Sequence, residues 1–135
     1  MSRTKLAKYR MEKAKEHLRE SKDSLKQEHF GLSVNRSYYA MFTGARALLA
    51  LKELDSSKHS GVIALFNQHI IKPGFFPTDF SRFLREAKRI REDADYGDFV
   101  KITKQDAQIQ LENAKKFIKE VKKTMRKMTQ VTEDE

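Results

Sequence analysis

Apolar residues recur at intervals of three and four along almost the whole chain, and no stretch alternates strictly apolar and polar, so the pattern predicts an all-α domain. In the first segment, about Thr4 to Glu28, the residues Ala7, Met11, Ala14, Leu18, Ser21 and Leu25 fall on one stripe, and Lys, Arg and Glu fill the rest. Gln27-Glu28-His29-Phe30-Gly31 ends it, with Gly31 suited to a chain reversal, and a second helix from Leu32 to about Leu51 carries Val34, Tyr38, Met41, Phe42, Ala45, Leu48 and Leu49. That arc is wide enough to make it the most buried element. Ser56, Ser57 and Ser60 offer N-caps to a short third helix with Val62, Leu65, Phe66 and Ile70, which Lys72-Pro73-Gly74 ends. Pro77-Thr78 opens a fourth helix with Phe80, Phe83, Leu84, Ala87 and Ile90 inward.

The stretch Asp93 to Phe99 reads as a polar loop, and Thr103 with Asp106 forms a capping-box variant that starts the last helix near Lys104. Its stripe is Ala107, Leu111, Ala114, Phe117, Ile118, Val121, Met125 and Met128. Four long helices and a short one with brief connections predict an antiparallel up-and-down bundle, one domain over residues 1–129, with 130–135 as a frayed acidic tail. The basic outer face of the last helix also suits an anionic membrane or a partner, but the other stripes need it as a packing companion.

Composition narrows the chemistry. Among 135 residues there is no cysteine, which removes disulfides, thiolate metal sites and a catalytic thiol. Nowhere do about 18 uncharged apolar residues run together, and the first residues carry no apolar signal core, so a soluble cytoplasmic protein is expected. In that setting the glycosylation-like Asn35-Arg36-Ser37 is accidental. Twenty-eight Lys and Arg against 19 Asp and Glu give a net charge of +9 and a pI near 9.8. Such a balance favours a polyanion such as RNA, or it reflects only solvated helix faces. On the fourth helix, Arg85, Lys88, Arg89 and Arg91 form a basic surface.

The most informative stretch is Asn35-Arg36-Ser37-Tyr38-Tyr39-Ala40-Met41-Phe42-Thr43, which places an arginine and two tyrosines in an otherwise apolar helix. An unpaired charge in an apolar interior costs several kcal/mol, roughly, so Arg36 must face a cleft, a partner or a ligand, or pair with a carboxylate of the 93–98 stretch. The second possibility leaves Tyr38 and Tyr39 as packing residues with satisfied hydroxyls.

Together with Ala45-Arg46-Ala47-Leu48-Leu49, Lys58-His59-Ser60-Gly61-Val62 and Arg91-Glu92-Asp93-Ala94-Asp95-Tyr96-Gly97-Asp98-Phe99, this stretch resembles the HEPN superfamily, in particular its small stand-alone prokaryotic members. The resemblance implies a helical bundle that dimerises, with a polar groove at the dimer interface. It also implies a minimal nucleotidyltransferase as toxin–antitoxin partner and RNA as a ligand. Many members are metal-independent ribonucleases that use an arginine followed, after roughly four to six residues, by a histidine on the same helix. Arg36 matches the arginine. Met41, Phe42 and Thr43 occupy the permitted histidine positions, and Thr43 aligns with the histidine itself. A threonine hydroxyl hardly ionises near neutral pH, so weak or absent RNA cleavage is expected. The resemblance places binding at Asn35, Arg36, Ser37, Tyr38, Tyr39, His59, Asp95 and Tyr96.

Other patterns are weaker. Arg10 and His17 copy the spacing on the first helix, with six residues between them, but a chance pair on one solvated face accounts for it. His59 either starts the third helix or reaches a ligand. Asp93, Asp95 and Asp98 fail an EF-hand register, no two histidines share a zinc-binding spacing, and no glycine-rich phosphate loop occurs, so neither metal nor cofactor is expected. Two other functions stay open: a protein-interaction scaffold without nucleic acid, and a nucleotide site in which Tyr38 or Tyr39 stacks on a base.

Overall fold

A computed structural model of the chain describes residues 2–96 and 100–134, with only the backbone of Tyr96 and of 131–134. Among the described residues the elements are α1 (Arg3–Lys26), α2 (Phe30–Leu51), α3 (His59–Phe66), α4 (Ser81–Tyr96) and α5 (Lys104–Asp134), with no strand. The all-α bundle of four long helices and one short one is as the periodicity predicts. The side chains of the expected acidic tail from 131 onward lie outside the described residues, as do Gly97, Asp98 and Phe99.

Helix α1 begins at Ser2, whose hydroxyl accepts from the Lys5 N–H at 3.2 Å. It runs antiparallel to α2, since Ser21 meets Ser33 and Ser37 near one end while Arg10 reaches the Arg46 carbonyl near the other. Small polar side chains let the two backbones come close: Ser21 Oγ lies 2.7 Å from Ser37 Oγ, and Ser33 Oγ donates to the Ser21 carbonyl at 3.0 Å. Helix α2 is the most buried element, with fourteen buried residues from Ser33 to Leu51. At Gly44 an added Cβ would stand 3.1 Å from Ile118 and 3.3 Å from Val121, so the missing side chain sets the approach of α5.

The reversal between α1 and α2 differs from the expectation at Gly31, which lies inside α2. The left-handed residue is Glu28, at φ 63°, with Glu28 N–H on the Leu25 carbonyl and His29 N–H on the Ser24 carbonyl. The same pattern closes α2, where Glu53 takes φ 58° and Leu54 N–H reaches the Leu49 carbonyl. It recurs after α3, and there Gly74 holds the position at φ 95°. Before that end, α3 widens into a π-helical turn over Asn67–Ile71, closed by Lys72 N–H to the Asn67 carbonyl at 2.9 Å.

Two further boundaries differ. None of Ser56, Ser57 and Ser60 caps α3 at its N-cap position, which Lys58 occupies, although Ser56 Oγ accepts from the Lys58 N–H at 3.2 Å. The expected loop from Asp93 is helix as far as Tyr96. Carboxylates four residues after cations extend α4: Glu92 pairs with Lys88, Asp93 with Arg89 and Asp95 with Arg91. At α5 the expected capping box is present in both directions, Asp106 N–H to Thr103 Oγ1 at 3.1 Å and Thr103 N–H to Asp106 Oδ2 at 2.9 Å. The centre of the core is a set of rings, Phe66, Phe76 and Phe117, with centroids 5.1 to 5.7 Å apart.

Candidate functional site

Arg36, Tyr39, Thr43 and Arg46 are spaced along α2 at three and four residues, and all are half-buried, while the other residues from Ser37 to Leu51 are buried. Tyr39 is the hub of this stripe. The Arg36 guanidinium carbon lies 5.7 Å from its ring centroid, and that of Arg91 on α4 lies 5.4 Å away. The imidazoles of His17 on α1 and His59 on α3 stand 6.1 and 5.8 Å from the same ring. Four helices thus bring two guanidiniums and two imidazoles around one tyrosine.

The loop before α3 is built to present His59. Arg46 grips Asp55 through two nitrogens at 3.2 and 2.8 Å, and Arg10 joins at 3.1 Å while also donating to the Arg46 carbonyl. Burial tends to raise the Asp55 pKa, but the bond from Arg46, the Ser56 N–H and the charges of Arg46 and Arg10 win and hold it below the usual carboxylate range. Asp55 Oδ1 then accepts the Ser56 N–H at 2.9 Å. A Cβ on Gly61 would collide with Ser56 Oγ, so only glycine lets the loop fold against the first turn of α3.

So placed, His59 Nδ1 lies 3.0 Å from the Tyr38 hydroxyl, and its ring packs 4.4 Å from Phe42. Burial pushes the Tyr38 phenol far above its ordinary value; Arg91 opposes this, and the field of Tyr39 adds to it. His59 moves the other way: burial first, then the charges of Arg91, Lys88 and Arg46 depress it, against Glu92. It is therefore neutral near pH 7. Burial alone would depress Arg91, but Tyr39, the bond to Asp95 at 3.2 Å and Tyr38 raise it, so its charge is secure.

Several expected binding residues sit elsewhere. Ser37 is buried and bonded to Ser21, within the α1–α2 seam, and cannot touch a ligand from outside. Tyr38 is fully buried, so it cannot stack on a base and acts through His59. Asn35 accepts from Arg36 Nε at 3.0 Å and steers the guanidinium. Arg36 pairs with no carboxylate among the described residues; the 93–95 carboxylates go to Arg89 and Arg91 instead. Asp95 therefore enters the site by holding Arg91, while the side chain of Tyr96 lies outside the described residues. Thr43 lies on the stripe one turn beyond Tyr39.

The basic surface of α4 is largely self-neutralised. Lys88 and Arg89 are paired within the helix, and Arg85 alone of the four carries no ion pair among the described residues. Two features are not apparent from the sequence: Arg91 covers both tyrosine rings, at 5.4 Å each, and His17 reaches the same site. The Arg10–His17 spacing does not make a pair, since Arg10 turns to Asp55 and His17 to Glu20. A cleft lies elsewhere, between α1 and α5: about 400 Å³, with Lys8, Met11, Glu12, Lys15, Lys122, Met125 and Arg126 in its walls, it has cations and a carboxylate but no imidazole.

The fold and this arginine-bearing helix belong to a known class. The HEPN domain model matches residues 7–124, and the chain is a member of the HEPN family. Among its relatives, a "Putative toxin" of Methanocaldococcus jannaschii is 34% identical over 113 residues, covering 84% of this chain and 77% of that protein. A UPF0332 protein of Gloeobacter violaceus is 38% identical over 109 residues, 80% of this chain and 86% of its own. A UPF0332 protein of Thermotoga maritima is 34% identical over 119 residues, 88% and 90% respectively. The chain is thus a toxin-like HEPN module. No helix among the described residues is long and apolar enough to cross a membrane.

Proposed function

We propose that this protein is a toxin-like HEPN module that binds RNA phosphates through the face around Tyr39, and that the family's own arginine–histidine pair is inoperative in it. The observation that carries this reading is the convergence of Arg36 and Arg91 on the Tyr39 ring from two helices. Guanidiniums match phosphate in geometry and charge, and a half-buried tyrosine between them offers a base a stacking surface. Thr43 cannot take the histidine's part, so cleavage by that pair is weak or absent.

The same reading makes the protein a cytoplasmic homodimer with a minimal nucleotidyltransferase as antitoxin partner. Light scattering on the pure protein, then on the protein mixed with such an enzyme, tests both assemblies. RNA binding is tested by fluorescence anisotropy with a 2′-O-methyl RNA over a range of salt. Log affinity should fall linearly with log salt, by roughly 0.7 per phosphate neutralised on a single strand. The internal pairing of Lys88, Arg89 and Arg91 favours a second reading, a protein-interaction scaffold, and a flat salt response selects it.

A further inference from the structure

The site lacks a histidine at Thr43 and yet holds two, and their hydrogen bonds give them different capacities. The Tyr38 hydroxyl is buried and resists ionisation, and His59 Nδ1 is its partner. A buried hydroxyl that keeps its proton is satisfied by donating it. Nδ1 therefore accepts, and the neutral His59 ring carries its hydrogen on Nε2. In that tautomer it is a donor and not a base.

His17 is arranged the opposite way. Its Nδ1 lies 3.1 Å from Glu20 Oε1, and a carboxylate only accepts, so Nδ1 carries a hydrogen, and the neutral ring has its lone pair on Nε2. Nε2 has no protein partner among the described residues, and the side chain is 23% exposed. A carboxylate-held imidazole beside a tyrosine that also carries Arg36 and Arg91 has the make-up of a proton-transfer site.

We propose that His17, from α1, supplies the proton transfer that Thr43 cannot, so that the metal-independent RNA cleavage known in the HEPN family runs here on an imidazole from another helix. This rests on the reading that RNA phosphates bind on the Tyr39 face. His17 Nε2 takes the proton of a ribose 2′-hydroxyl, and the 2′-oxygen forms a bond to the adjacent phosphorus. The bond from phosphorus to the 5′-oxygen breaks, and that oxygen leaves with a proton from water. His17 returns its own proton to water. The products are a 2′,3′-cyclic phosphate and a 5′-hydroxyl, with no redox change. Arg36, Arg91 and the His59 Nε2–H stabilise the charge on the five-coordinate phosphorus. Glu20 is a positioning residue.

The full-length protein is incubated in EDTA with an end-labelled RNA, and binding of the 2′-O-methyl analogue, which lacks the nucleophile, is measured in parallel. Wild type should yield 2′,3′-cyclic phosphate ends. His17→Ala should lower kcat about 100-fold or more, as expected for loss of a general base, with analogue affinity and circular dichroism unchanged. Free imidazole should restore part of that loss, which a structural role does not predict. Glu20→Gln should lower kcat with KM unchanged, and His29→Gln, on an exposed residue outside the site, should have no effect. Analogue binding without cleavage, or cleavage that survives His17→Ala, overturns the proposal and leaves the binding face standing. Failure of the analogue to bind, together with no cleavage, overturns both.

Discussion

The rings of Phe66, Phe76 and Phe117 and those of Tyr38, Tyr39, Phe42 and His59 pack at similar spacing, 5.1 to 5.7 Å in the first cluster and 4.4 to 6.2 Å in the second. Their surroundings differ. The phenylalanines are sealed, at most 2% exposed, and no cation lies over them among the described residues. The second cluster has Arg36 and Arg91 over its rings, and its hub Tyr39 is half-buried. Aromatic clustering as such is therefore no mark of function. What distinguishes the second cluster is that desolvated rings meet charges that a purely structural core excludes, at a place solvent reaches.

Mutation should separate the clusters, and the largest effect belongs to the dry one. Phe117→Ala removes a fully buried ring and should cost about 3–5 kcal/mol of stability, read from the midpoint of a urea transition. Arg36→Ala should leave that midpoint within about 0.5 kcal/mol, yet weaken RNA binding by about 1.5–3 kcal/mol, the range for a charged hydrogen bond. Gly61→Ala falls between the two regions. Its methyl group would displace Ser56 and the start of α3, costing about 1–3 kcal/mol and loosening His59, visible by NMR as separation of the His59 ring from Tyr38.

Smaller effects sharpen the contrast. Glu53→Gly relieves a left-handed residue at the end of α2 and should stabilise by about 1 kcal/mol without altering binding. His59 is depressed in the folded protein, so its contribution to stability is complete above its ordinary value of about 6.5 and is lost as pH falls through the lower folded value. His59→Gln should therefore flatten the decline of the urea midpoint between about pH 7 and pH 5. An unchanged decline would show that other groups carry it.

The sequence and the fold agree where local chemistry decides. The 3.6-residue stripe of α5, its Thr103–Asp106 capping box and the stop at Gly74 could all be read directly, because each depends on neighbours within one turn. Glu28 and Glu53 were not legible as turn residues. Packing of α1, α2 and α3 imposes the left-handed conformation on side chains that do not prefer it, and Gly31 drew the prediction away. The end of α4 was missed for a related reason: Asp93 and Asp95 look like part of a loop until each is matched with the cation four residues earlier.

Within the site, Arg36 and His59 were legible because a charge or an imidazole beside apolar neighbours is conspicuous. Arg91 and His17 were not. Their roles depend on which helix faces which: the antiparallel register of α1 and α2 about the turn at 27–29 brings position 17 opposite position 39, and no spacing within α1 reports that. The same register explains why Ser37 was misjudged: one position along the chain from Arg36 is a turn of about 100° around the helix, which carries Ser37 into the seam against Ser21.

Phosphate binding on the Tyr39 face is the central claim, and Arg91 tests it most directly because nothing in the family's arginine–histidine spacing points to it. The salt dependence of 2′-O-methyl RNA binding should be compared between wild type and Arg91→Ala, at matched helicity. The variant should bind about tenfold or more weakly, with a log–log slope smaller by roughly 0.7, as expected when one phosphate of a single strand is no longer neutralised. Equal affinity and equal slope would contradict the claim, and would place any RNA-binding surface elsewhere on the protein.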